Sequence, residues 1–161
     1  METDAPQRDG DARDTAPQRP SESALAHWRQ FLRAHATTIR RLEADLAAEH
    51  QMPLASYDVL VQLVEAPDQR LRMTELAERV LLSRSGLTRL VDRLERQGLV
   101  RREPSALDAR GFYAVLTDEG YDRLRTAART HLRGVNDYVV SRLTGAELAQ
   151  LGKLCAKLVG E

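Results

Sequence analysis

Arg84, Ser85, Thr88 and Arg89 fall within one short stretch, and their side chains offer positive charge, hydroxyls and N–H donors. Such a set makes and breaks no covalent bond on its own. It suits the holding of phosphate oxygens and the reading of base edges. Asp108 and Arg110, two residues apart, form a second pair, in which the carboxylate is expected to hold the guanidinium bidentately. Other chemistry finds no support in the spacing. His27, His35, His50 and His131 stand in no metal-ligand spacing with one another or with Cys155. There is no glycine-rich phosphate loop and no nucleophile elbow, and Glu43 with Asp45, or Asp118 with Glu119, read as ordinary helix charges. A binding protein is expected, not an enzyme, with no cofactor and no metal.

Two short amphipathic helices and a basic ribbon must position these residues, all within the stretch from Thr74 to Thr117. In the second of the helices Leu87, Leu90, Val91 and Leu94 recur at i, i+3, i+4 and i+7 and share one face. Ser85, Arg89, Asp92 and Arg96 then lie opposite, with Thr88 beside them. Ser83 is the expected N-cap and Gly98 the expected left-handed C-terminal stop. A helix that buries leucine and exposes Ser, Thr and Arg near its N-terminus suits a DNA major groove. Leu99 to Arg102 and Gly111 to Leu116 read as strands, the latter alternating Phe112, Ala114 and Leu116 against Tyr113 and Val115. The segment from Glu103 to Arg110 reads as a polar turn whose tip carries Arg110 toward a neighbouring minor groove. From Arg70 to Arg110 there are ten Arg against six Asp and Glu, although the whole chain has formal net charge 0. Basic density is focused on this module.

Thr74-Glu75-Leu76-Ala77, the run from Ser83 to Glu95, Gly98 to Arg102, Asp108-Ala109-Arg110 and Leu116 to Gly120 together resemble the MarR family of bacterial transcription regulators. They occur in that family's order and spacing and span the whole winged helix-turn-helix. The resemblance implies a mainly α fold with a small β-wing, in which terminal helices interlock a homodimer. It also implies a pocket between the dimer helices and the DNA-reading lobe for a small, often aromatic or anionic, effector. Trp28, His35, Tyr57 and His131 are the residues expected to line it.

The remainder of the chain supplies the frame. Its 161 residues are enough for one domain with a real core. Residues 1–21 are rich in Pro, Gln, Asp and Arg and lack an apolar period, so a disordered tail is expected, followed by a single domain over 22–161. A helix is expected from Glu22 or Ser23 to His50, where Leu25, Trp28, Leu32, His35, Ile39, Leu42 and Leu46 alternate steps of three and four. Pro53 starts the next helix, Leu54 to Glu65, with Tyr57, Leu60, Val61 and Val64 as its buried stripe. Leu71 and Met73 flank an extended piece able to pair with the wing. After it comes a helix from about Thr74 to Val80. Thr117 caps a long helix whose stripe is Tyr121, Leu124, Ala128, His131, Val135 and Tyr138. Thr144-Gly145 opens the last helix, with Leu148, Leu151, Cys155 and Leu158 on its stripe. The expected division is a DNA-binding lobe over 54–117, with dimerisation helices over 22–52 and 118–161.

A single cysteine excludes an internal disulfide framework and agrees with a reducing, cytoplasmic setting. No apolar run is long enough to span a bilayer, and the N-terminus carries no apolar signal core. The function expected is a regulator, read as a repressor, that binds a pseudo-palindromic promoter site in double-stranded DNA as a homodimer and is released by a ligand. Two alternatives stand beside it. One is a winged-helix protein-interaction module without specific DNA binding. The other is a redox-sensing regulator using Cys155, although on an apolar stripe a cysteine is expected to be a small buried hydrophobe.

Overall fold

The computed structural model describes residues 19–105 and 108–160, with the side chains of 108–110 outside the described set. Most of the N-terminal tail, residues 1–18, also lies outside it. The chain divides into two compact units, one ending at His35 and one from Ala36 onward.

The N-terminal unit contains the first half of helix α1, which runs from Glu22 to His50. Ser21 Oγ accepts the Ala24 amide at 3.1 Å and so satisfies one of the free donors of the first turn. Trp28 and Phe31 stack with ring centroids 5.7 Å apart, and both are exposed.

The second unit holds the rest of α1 and the other α-helices and strands, in the order α2 (Leu54–Glu65), β1 (Arg70–Arg72), α3 (Met73–Arg79), α4 (Arg84–Arg96), β2 (Val100–Ser105), β3 (Asp108–Leu116), α5 (Asp118–Tyr138) and α6 (Gly145–Val159), with short 3-10 turns at Pro67–Gln69 and Val140–Arg142. The three strands form one antiparallel sheet in the order β1-β3-β2. This is the mainly helical fold with a small β-wing that the sequence implies. Pro53 supplies no side-chain cap for α2; Glu43 of α1 accepts the Leu54 amide at 2.9 Å instead. A carboxylate there also meets the positive end of the α2 dipole. Thr117 caps α5 by accepting from the Gly120 amide, and Thr144 with Glu147 forms a reciprocal capping box on α6.

One apolar core fills this unit. Leu46, Leu60, Leu63, Leu76, Leu87 and Leu94 are all fully buried in it, each contributing about 1.5–3 kcal/mol relative to an exposed side chain. The four expected stripe positions of α4 are all buried. Elsewhere the burial departs from the expected stripes. On α2, Val59 and Leu63 are fully buried while Val61 and Val64 are half-buried, because the sheet, α3 and α5 cover this helix on several sides. On α5, Ala127, Thr130 and Gly134 face the core and Tyr121 is exposed. Small residues are needed there: a Cβ on Gly134 would sit 2.7 Å from Leu42 Cδ2.

The wing differs most from expectation. Strand pairing continues through Glu103↔Tyr113 and Pro104↔Phe112 to Ser105↔Asp108, so the expected polar turn over 103–110 is mostly ladder. Pro104 is tolerated because β2 is an edge strand, where a missing N–H leaves no ladder bond unmade. The alternation on β3 is also broken. Phe112 is exposed whereas Val115 is buried, flanked across the two ladders by Arg70 and Arg101, whose aliphatic stems can cover it.

Candidate nucleic-acid interface

Helix α4 begins at a proper cap: Ser83 Oγ accepts the Gly86 amide at 3.1 Å. The remaining free amides of its first turn and its dipole make that end receptive to an anion. Arg84, Ser85, Thr88 and Arg89 are all exposed around this end, gathered as their spacing requires. Thr88 Oγ1 donates to the Arg84 carbonyl at 2.9 Å. Its hydroxyl proton is thereby used, and what the side chain presents outward is a lone pair and a methyl group. Ser85 Oγ lies 3.3 Å from Ser83 Oγ.

Which arginines are free to meet a phosphate is decided by their partners. Arg79 pairs with Glu75 at 2.7 Å, Arg70 with Asp68 at 3.5 Å, and Arg101 with Glu103. Arg102 is held by two carboxylates, Asp92 and Glu95. Between Arg70 and Arg102, the arginines with no carboxylate partner among the described residues are Arg72, Arg84, Arg89, Arg93 and Arg96. Four of these five lie on α4. The uncompensated positive charge is therefore concentrated on the helix that the sequence marks as the reader. Arg93, exposed on α4 four residues after Arg89, shares this carboxylate-free face, and that spacing is legible in the sequence. Arg72 is instead engaged within the sheet. Its Nε donates to the Tyr113 hydroxyl at 3.2 Å, its Nη2 donates to Ser105 Oγ at 3.3 Å, and its guanidinium carbon lies 5.5 Å from the Tyr113 ring centroid. Nothing local in the sequence announces that arrangement.

Between α4 and the wing lies a cleft of about 560 Å³, bordered by Arg72, Thr88, Asp92, Arg102 and Phe112. Asp108 and Arg110 stand on the outer end of β3, but their side chains lie outside the described residues.

Of the residues expected to receive an effector, Tyr57 and His131 meet. Their rings stack at 4.4 Å, Tyr57 buried and His131 half-buried. His131 Nδ1 is buried without a hydrogen-bond partner among the described residues. Burial pushes the imidazole below its ordinary pKa, because the charged form loses hydration there. Trp28 and His35 belong to the N-terminal unit and are exposed. None of the three clefts described in the structure is lined by any of these four residues.

A polar cluster stands beside His131 in sequence. Buried Thr130 donates to Glu49 at 2.7 Å and lies 2.8 Å from His50 Nε2. The single hydroxyl proton goes to the carboxylate, so His50 must donate from Nε2. That hydrogen bond from Thr130, aided by Arg133, holds Glu49 below the usual carboxylate pKa. Cys155 is exposed rather than buried, since no residue of α6 is buried within the single chain. Among the described residues no helix is long and apolar enough to cross a membrane.

Comparison with known proteins agrees with this geometry. The chain is similar to Sco3205, a MarR family transcriptional regulator from Streptomyces coelicolor solved in complex with DNA. Identity is 38% and the TM-score 0.84, covering 89% of this chain and 90% of that one. In Bacillus subtilis strain 168 it is similar to the HTH-type transcriptional regulator YkoM, 33% identical over 103 residues, or 64% of this chain. It is also similar to the HTH-type transcriptional repressor YetL of that strain, 35% identical over 80 residues, or 50% of this chain. The chain spans 65% and 48% of the lengths of these two relatives. The MarR family profile matches residues 50–111, from the end of α1 into the wing. A capped, arginine-bearing reader helix beside a three-stranded wing, in a fold shared almost end to end with a regulator of that kind, makes this chain a member of the MarR family of transcriptional regulators.

Proposed function

We propose that this regulator is a repressor that binds a pseudo-palindromic promoter site as a homodimer and leaves it when a small aromatic or anionic effector binds. The carrying observation is the set of carboxylate-free arginines on the exposed face of α4, around the N-terminus that Ser83 caps. In this reading Thr88 and Arg89 meet base edges and Arg84 and Ser85 meet phosphates. Arg110, held by Asp108, reaches a minor groove from the wing. Residues 54–117 form the DNA-reading lobe, and 22–52 with 118–161 form the dimer layer.

Dimerisation is supported by apolar side chains left uncovered in one chain: Leu32 and Ile39 on α1, and Leu151, Leu154 and Leu158 on α6. Two-fold symmetry then sets the half-sites about one helical turn apart, ~10 bp. YetL, named a repressor, supports the sign of regulation. The Tyr57–His131 stack, whose His131 Nδ1 has no hydrogen-bond partner among the described residues, offers an aromatic face and a polar atom to such an effector.

The test is a mobility-shift titration against duplexes tiling the DNA beside the chain's own coding sequence, repeated at several salt concentrations. One palindromic duplex should bind tightly, with affinity falling steeply as salt rises. Arg89→Ala should cost about 1–3 kcal/mol of discrimination between that site and a mismatched one. Equal, weak binding to every duplex would defeat the proposal.

A further inference from the structure

The side chain of Arg102, a wing residue, reaches along the reader helix. From β2 it contacts α4 at three places: Nη2 lies 2.6 Å from Asp92 Oδ1 and 3.3 Å from the Thr88 carbonyl, and Nη1 lies 2.8 Å from Glu95 Oε2. Its own backbone amide donates to Glu95 Oε1 at 3.1 Å. Thr88, Asp92 and Glu95 are at i, i+4 and i+7, so one guanidinium bridges two turns of a single helix face. The side chain is only 23% exposed, against 40% for each carboxylate. Partial burial makes these bonds stronger than a free surface pair.

We infer that Arg102 is a positioning residue, which with Asp92 and Glu95 locks the wing to the recognition helix so that both meet DNA as one rigid body. Arg102 itself does not contact phosphate. Its two guanidinium nitrogens nearest α4 are spent on carboxylates, and the pair of acids more than cancels its charge. Asp92 and Glu95 sit on the strongly basic helix, where long-range attraction for DNA would favour neutral residues. Holding Arg102 gives them a role there. The inner face of the wing base already packs on α4, with Val100 and Leu116 in one core with Leu90 and Leu94, and Arg102 adds the polar tie on the outer face, beyond the Gln97-Gly98-Leu99 connection. An outer wing that bent away from α4 above that anchored base would lose the fixed spacing that simultaneous major- and minor-groove contacts demand.

This inference rests on the DNA-binding reading above, and one experiment separates the two. Full-length wild type, Arg102→Met, Asp92→Asn, Glu95→Gln and the Arg102→Met/Asp92→Asn double variant are titrated against the palindromic duplex at several salt concentrations. Circular dichroism confirms the fold of each. The lock predicts that Asp92→Asn and Glu95→Gln weaken binding several-fold, although each removes a negative charge from a DNA-facing helix. Arg102→Met should weaken it about tenfold with an unchanged slope of log affinity against log salt. The double variant should bind no worse than Arg102→Met alone, because the contact is already lost. Tighter or unchanged binding by the two amide variants would overturn the inference. So would a slope reduced by about 0.9 in Arg102→Met, which would make Arg102 a phosphate contact. If wild type itself prefers no duplex, the DNA-binding reading fails, and this inference with it; that outcome is recognisable because no variant then differs from wild type.

Discussion

Leu81 occupies the turn between α3 and α4 with φ +55°, a left-handed conformation that costs a non-glycine residue about 1–2 kcal/mol. Its side chain is 91% exposed, so little burial offsets that cost. Leu81→Gly should therefore stabilise the fold even after the extra unfolded-state entropy of glycine is counted. A rise in melting temperature of about 2–4 °C is expected for a net gain near 1 kcal/mol. A fall would mean that Leu81 makes a contact worth more than its strain. His131 shows the opposite case, a residue whose surroundings oppose its charge. Its folded pKa lies below the ordinary value of 6.5, so the unfolded chain binds the proton more readily. By linkage its contribution is fully present above pH 6.5 and is lost as pH falls from there through the depressed folded value. His131→Phe keeps a ring against Tyr57 and removes the titration. Melting curves of that variant should decline less between neutral and mildly acid pH than those of wild type; parallel declines would exclude His131 as the cause.

Between elements, the junction of α4, the wing and α5 is held by unusually close backbone approach. Thr117 donates its hydroxyl to the Gly98 carbonyl at 2.7 Å and its amide to Leu99 O at 3.3 Å, tying the end of β3 to the start of β2. One turn later Gly120 lies so near that an added Cβ would stand 2.1 Å from Leu99 O. Helix propensity alone favours Gly120→Ala by up to about 1 kcal/mol. The clash has the other sign and cannot be relieved by a rotamer, since the obstacle is backbone. Gly120→Ala should thus destabilise by about 1–3 kcal/mol in a urea titration, and a stabilised variant would show that α5 can shift away from the wing.

At the scale of the whole molecule, α6 buries no residue within its own chain, and Leu151, Leu154 and Leu158 stand exposed along it. Leaving such a row in water is costly unless a second copy covers it. A Leu154→Glu/Leu158→Glu variant should sediment as a monomer at micromolar concentration and lose most operator affinity, because a single half-site gives up the second lobe's contacts. A variant that remains dimeric would place the dimer contact elsewhere.

What the amino-acid order determined unaided was whatever depends on residues within about four positions of one another. The caps at Ser83 and Thr117, the break at Thr144-Gly145, the stop at Gly98, the spans of α1 and α2 and the leucine face of α4 are all of this kind. The exposed arrangement of Arg84, Ser85, Thr88 and Arg89 follows from the same spacing. Tertiary structure decided what depends on distant partners. Cross-strand register lengthened the wing beyond its polar composition, since Glu103 and Pro104 find ladder partners in Tyr113 and Phe112. Packing from several sides brought Val59 and Leu63 into the core and set Thr130 against Glu49 and His50. The local excess of arginine was legible in the sequence, but which arginines remained free was not. Arg102 and Arg89 are the same residue type, each on a basic stretch, and only the fold, by bringing Asp92 and Glu95 against the wing, neutralises the first and leaves the second without a carboxylate partner among the described residues.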